Sequence, residues 1–242
     1  MYSGVAKNQL KTTKQFMQSL SEKEMVQQLL LNEACLDEAI SFATSPALNY
    51  GEETNGSLLH IATEVPRELL GLEPEKKPGD IDILIIPEKK QNILFDRTIA
   101  IEVKIVRPTN MKPSKNAGKM GSTQVKGLIR DGFPFIGLLH LEVPEHSPDS
   151  KKVKMPNGFL MDMFPFESAE RQNGRLEKLN LPNFVGFSAT GLQSSDNGFI
   201  GATGGFDKNC IRSPHTNPYL VERIQQLYNS GAYRFSNFST FG

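Results

Sequence analysis

Apolar residues recur with two periods along this chain, and the switches between them divide it into strands and helices. Ser21 precedes a helical stretch over residues 22–31. A second helix is expected over 33–43, where Leu36, Ala39, Ile40 and Phe42 form an inner stripe. Residues 57–65, Ser-Leu-Leu-His-Ile-Ala-Thr-Glu-Val, read as the first sheet strand, and residues 66–72 as a turn or short helix. The run Gly79-Asp80-Ile81-Asp82-Ile83-Leu84-Ile85-Ile86 follows as a second strand, ended by Pro87 and the charged residues 88–90. A turn over 91–97 returns the chain antiparallel into Ile99 to Val106, which makes a hairpin. Ser122 is placed to cap a helix ending near Gly132, and residues 133–143 form a further strand. The order is helix, three strands, helix, strand.

The last third is harder to read. Residues 144–157, rich in charge and proline, leave the core. A strand is expected over 184–189, a short strand element at Phe199-Ile200, and a helix from Asn217-Pro218 through Tyr228 that packs through Leu220, Ile224 and Leu227. Tyr233, Phe235, Phe238 and Phe241 form an aromatic tail, suited equally to packing within the chain or at a subunit interface. At 242 residues the chain suits one domain, 1–242: a helical part to residue 56, a core over 57–143 and an elaboration over 144–242.

Chemistry enters through the polar positions of two apolar strands. In 99–106 the side chains of Glu102 and Lys104 share one face, and Ile101, Val103 and Ile105 take the other. In the preceding strand Asp80 and Asp82 share a face opposite Ile81, Ile83 and Ile85. Asp82, Glu102 and Lys104 are thereby expected to converge. Charges on the inner face of a central strand need a metal, a partner or a substrate. Hard divalent cations prefer carboxylate oxygen and bridge readily to phosphate. Such an ion polarises a scissile phosphate and acidifies a bound water, and a lysine neutralises the charge that builds on phosphoryl oxygens.

With Gly79-Asp80-Ile81-Asp82 on one strand and Glu102-Val103-Lys104 on the next, the chain resembles the PD-(D/E)xK nuclease superfamily. It departs from the name-giving motif in having Gly-Asp in place of Pro-Asp, with Pro78 just before. The resemblance covers roughly residues 57–143. It implies an α/β fold with a restriction-endonuclease-like αβββαβ core, a mixed central sheet and additional N- and C-terminal elements. It further implies that Asp82 and Glu102 bind Mg²⁺ or Mn²⁺, with Asp80 the competing first carboxylate, and that Lys104 assists the attacking water. Gln124, on the helix after the Glu-x-Lys strand, resembles the polar residue that many members carry there. An additional acidic residue, as in many relatives, falls to Glu38 or Glu64. The activity implied is a metal-dependent nuclease; the motifs do not choose DNA over RNA, and DNA is the substrate expected here. A catalytically inactive nucleic-acid-binding module or a structural partner protein is the alternative.

Charge adds a local signal. The chain carries 27 basic and 27 acidic residues, yet from Arg107 to Arg130 it has six basic residues and no acidic one. Lys112, Lys115, Lys119, Lys126 and Arg130 are expected to hold a phosphate backbone, without reading bases. His60, with no Cys or second His nearby, is expected to be structural or partly exposed, and His140 is left open between a fold position away from the metal and substrate contact. Cys35 and Cys210 offer neither a disulfide framework nor a metal cluster. The chain has no Gly-x-x-x-x-Gly-Lys-Ser/Thr loop, no membrane-length apolar span and no signal-peptide segment. A cytoplasmic protein is expected, with nucleic acid as partner and a homo-oligomer or accessory protein left open.

Overall fold

The computed structural model describes residues 17–48, 57–72, 79–112, 120–158, 160–193 and 201–239, with the side chains of 193 and 201–206 left aside. In chain order the elements are α1 (Glu22–Leu30), α2 (Glu33–Leu48), β1 (Ser57–Val65), β2 (Ile81–Lys89), β3 (Asn92–Ile93), β4 (Ile99–Val106), α3 (Ser122–Asp131) and β5 (Phe135–Glu142). They continue through β6 (Val153–Lys154), β7 (Leu160–Met161), α4 (Phe164–Leu176), β8 (Gly186–Gln193), β9 (Gly201–Lys208), α5 (Pro218–Ser230) and β10 (Ser236–Ser239). The protein is α/β, with helices flanking a mixed sheet of order β10-β1-β2-β4-β5-β8-β9; β3 pairs with the end of β2, and β6 and β7 form a separate hairpin.

The expected hairpin is present: β2 and β4 pair antiparallel, and β5 lies parallel to β4 after the α3 crossover. One core fills the space between the sheet and α1 and α2, with Phe42, Ile83, Ile101 and Leu139. The other lies under α3, α4 and α5, with Leu84, Val125, Leu138 and Ile224. Alternating strand residues feed the two cores, which is why the apolar runs of β2, β4 and β5 are nearly unbroken. Gly137 lets the Phe42 ring lie on β5, since a β-carbon there would stand 2.9 Å from Phe42 Cζ.

Several boundaries move for identifiable reasons. Ser21 caps α1 through a full capping box: its side chain accepts from Glu24 N at 3.3 Å, and its own N–H donates to the Glu24 carboxylate at 2.7 Å. Helix α2 runs on to Leu48 although Pro46 lies inside it. The missing Pro46 N–H would leave Phe42 O without its helical donor; Cys210 N fills that place at 2.9 Å. Pro87 does not end β2, which continues to Lys89. Its carbonyl accepts from Leu94 N at 2.8 Å on the side away from β1, so the absent N–H is not needed by the β1 ladder. Helix α3 is capped by Gly121 at φ 84°, one residue before the expected Ser122.

The aromatic tail packs within the chain. Strand β10 adds to β1, Phe238 enters the core, and the Phe235 and Tyr228 rings meet edge to face at 5.2 Å. Phe241 and the expected Phe199-Ile200 strand element lie outside the described residues. Helix α4, absent from the expected order of elements, covers β5 and β8. His60 is structural, bonded to Asn237 and Glu88, each at 2.8 Å. Both cysteines are free and buried. Among the described residues no helix is long and apolar enough to cross a membrane.

Candidate active site

The site forms where β2 peels away from β4. Their pairing runs from Ile85 and Ile99 to Ile83 and Ile101 and stops there. In the β1–β2 ladder the Thr63–Ile83 and Val65–Ile81 pairs bracket the Glu64–Asp82 position, which is skipped. Glu64 takes φ 56°, a left-handed conformation that a non-glycine residue rarely adopts in a strand. The alternation breaks at this point. Ile83 and Ile85 enter the α1/α2 core, whereas Ile81 and Val65 join Leu84 and Ala62 on the opposite side. The expected common face for Asp80 and Asp82 opposite Ile81, Ile83 and Ile85 is thus not kept.

This twist turns Asp82 toward the open edge of β4. Its Oδ2 accepts from Val103 N at 2.7 Å, the place β2 backbone would have occupied. The next outward amide, Ile105 N, donates to Glu22 Oε2 at 3.2 Å. Carboxylates from β2 and from the first turn of α1 therefore replace a strand partner.

Glu102 and Lys104 do share a face of β4. Glu102 is buried, and its Oε1 lies 2.8 Å from Lys104 Nζ, which also reaches Glu22 Oε1 at 3.1 Å. Burial, then Asp82, pushes the Glu102 carboxyl up to about 8, against the pull of Lys104. Burial likewise holds Asp82 up at about 6, opposed by its bond from Val103 N. For Lys104 burial works downward, but Glu102, Glu22 and Asp82 outweigh it and the net direction is up, so this lysine is an ammonium donor.

The N-terminus of α3 closes over this pair. A β-carbon on Gly121 would meet Leu138 Cδ1 at 2.5 Å and the Cγ atoms of Glu102 and Lys104 at 3.4 Å, so only glycine lets the turn sit this low. His140 holds the turn from behind: its Nε2–H donates to Met120 O at 3.2 Å, and its Nδ1 accepts from Gln172 Nε2 at 2.7 Å. Burial lowers the His140 pKa to about 4, which keeps it neutral, and the Met120 carbonyl, able only to accept, sets this tautomer.

The remaining expected residues are dispersed. Asp80 is exposed just ahead of β2. Gln124 is half-buried in the first turn of α3, and its side chain makes no hydrogen bond to a described residue. Lys126 and Arg130 are exposed along α3, four residues apart on one face, and Lys112 is exposed beyond β4; Lys115 and Lys119 lie outside the described residues. Arg107 is not a free cation, because its guanidinium is bonded to Leu20 O just before α1. Of the two candidate additional acids, Glu38 is exposed on α2 beside Asp37 and Asp207, remote from the pair. Glu64 lies within electrostatic reach of Lys23, Asp80, Glu22 and Lys104.

Two participants were not anticipated. Glu22 was legible only as the first residue of a capped helix; that this helix end meets β4 is a tertiary fact. Arg67, buried in the turn after β1, donates to Gly79 O at 2.9 Å, pairs with Asp131 and lies within the field of Glu102, Asp80 and Asp82. Among the described residues no three Asp, Glu, His or Cys side chains are grouped closely enough to hold a metal ion by themselves. Asp82 and Glu102 form a two-carboxylate set. Comparison with protein-family models, with curated proteins and with solved structures finds no match to this chain.

Proposed function

We propose that this protein is a divalent-metal-dependent nuclease with a restriction-endonuclease-like core, acting on DNA. The observation that carries the reading is the meeting of Asp82, Glu102 and Lys104 at the frayed end of the β2–β4 pair, beside the N-terminus of α3.

The residues fit a small hard cation. Mg²⁺ is commonly held by one or two carboxylates and completes its shell with water and substrate phosphate, so a third protein ligand is not required. Glu22, Glu64, Asp80, Asp82 and Glu102 outnumber Lys23, Arg67 and Lys104, and burial holds Asp82 and Glu102 well above the ordinary carboxylate range. That imbalance favours a bound cation. Asp82 and Glu102 would hold it, and once bound it supplies a polarised phosphate and an acidified water.

The chain's own groups divide the remaining work. Glu102 gives up its proton when a cation binds. Lys104, kept charged by its three acidic neighbours, donates hydrogen bonds to the phosphoryl oxygens or to the attacking water and is not the general base. The backbone amides at the start of α3 favour a phosphate near Gly121. Lys126 and Arg130 extend the cationic surface along the same helix.

The test is incubation of purified protein with single-stranded and duplex DNA and RNA, with and without Mg²⁺ or Mn²⁺. Cleavage should require the ion and disappear in Asp82→Ala and Glu102→Ala; cleavage undiminished in both variants would overturn the mechanism. A second reading, a binding module without catalysis, draws on the fact that Asp82 and Glu102 already have partners inside the protein. It predicts DNA binding with no cleavage and no Mn²⁺ uptake by calorimetry.

A further inference from the structure

A cleft of about 410 Å³ opens beside the site, between α1, the end of β1 and the segment leading into β10. Its walls include Lys23, Gln27, Leu30, Glu64, Tyr233 and Arg234. Glu64 belongs to both places, because the twist at φ 56° that breaks the β1–β2 ladder puts this residue on the cleft wall within the field of Lys104. Lys23 and Arg234 are exposed on this wall, and Lys23 lies within the field of the Glu64 carboxylate. Tyr233 is fixed: its phenol oxygen lies 2.7 Å from Thr63 O and 2.8 Å from Glu64 O, which anchors the ring at the cleft.

Two exposed cations against the one carboxylate of Glu64, an anchored aromatic ring and a volume at the lower end of the roughly 300–1,000 Å³ typical of ligand pockets describe a site for one planar, anionic residue. We propose that this cleft is a nucleotide subsite, taking one unpaired nucleotide next to the scissile phosphodiester, with Lys23 and Arg234 on its phosphate and Tyr233 against its base. The proposal rests on the nuclease reading and narrows its substrate to nucleic acid with a single-stranded segment at the site. A duplex keeps its bases stacked inside and delivers one to such a cleft only by flipping it out. A single strand offers base and phosphate together, and stacking on an aromatic side chain tolerates any sequence.

The experiment is fluorescence anisotropy with a labelled single strand of about ten nucleotides, a hairpin duplex of the same sequence and a strand with abasic sites, all in chelator so that binding is read apart from cleavage. Replacing Lys23 and Arg234 together with Ala should weaken single-strand binding about tenfold, lower its log–log salt slope by about 1.4, and leave duplex binding unchanged. Tyr233→Leu should weaken binding of the normal strand and spare the abasic one. Unchanged single-strand affinity in the double variant, equal losses on strand and duplex, or a wild-type protein that binds no oligonucleotide would each overturn the subsite. Metal-dependent cleavage by wild type with unaltered strand affinity in the double variant would remove the subsite and leave the nuclease. Strand binding that follows the expected pattern without any cleavage would retain the subsite and remove the nuclease.

Discussion

Substituting Glu102 by Gln should make the metal-free protein more stable at alkaline pH. Burial raises the Glu102 pKa from the ordinary 4.5 to about 8, so between these values the folded state binds a proton that the unfolded chain has released. Stability is then fully present below pH 4.5 and is lost as pH rises toward 8. A tenfold change in proton affinity corresponds to about 1.4 kcal/mol, and with Asp82 titrating beside it and Lys104 recovering part, the loss assigned to Glu102 is on the order of 3 kcal/mol. Glu142, buried against Ser168 and also held up at about 8, tilts both proteins alike, so the difference between them reports Glu102 together with its partner Asp82. Urea unfolding in chelator at roughly pH 5, 6, 7 and 8 measures it: wild type should lose stability across the series, and Glu102→Gln should lose distinctly less. Saturating Mn²⁺ should restore the wild type at the alkaline end, by about 2.7 kcal/mol at a hundredfold excess over the dissociation constant, and not the variant. Parallel pH profiles for the two proteins, or a wild type whose stability rises across the series, would refute the reasoning.

Gly121→Ala should cost about 2–4 kcal/mol, since it adds a left-handed penalty to a 2.5 Å approach to Leu138; a shifted urea midpoint reports it. Gln172→Leu should cost about 1–3 kcal/mol by leaving buried His140 Nδ1 without its donor, and calorimetric unfolding checks this. Lys126→Ala with Arg130→Ala should weaken binding to unrelated duplex sequences alike and reduce the salt slope by about 1.8; selective loss on one sequence would contradict a backbone-positioning role.

The strands carrying the site were legible because their apolar runs are long, and Glu102 and Lys104 kept the common face that period-two alternation requires. Asp82 met them by another route. Its backbone leaves the regular pleat, and a pattern that assumes the pleat throughout places Asp80 beside it and Ile81 opposite. Helix α3 was readable from its end at Gly132, and α5 from its Asn217-Pro218 start and its Leu220, Ile224 and Leu227 stripe. Helix α4 was not: its apolar side is diluted by Ser168 and Gln172, which are buried as partners of Glu142 and His140. Glu22 and Arg67 became visible only when the chain ends of distant elements met.

The open stretch of β4 has a meaning for solubility. An unpaired strand edge in apolar sequence is a template on which a second chain can add. Val103 and Ile105 would be such a template, and their amides are instead occupied by the carboxylates of Asp82 and Glu22. A strand arriving from another molecule has to displace an anion and lay its own backbone against Glu102. The same charges that prepare the site also guard it against self-association. Neutralising them, as in Glu22→Gln with Asp82→Asn, should raise the rate of aggregation measured by light scattering under native conditions, while wild type stays monodisperse.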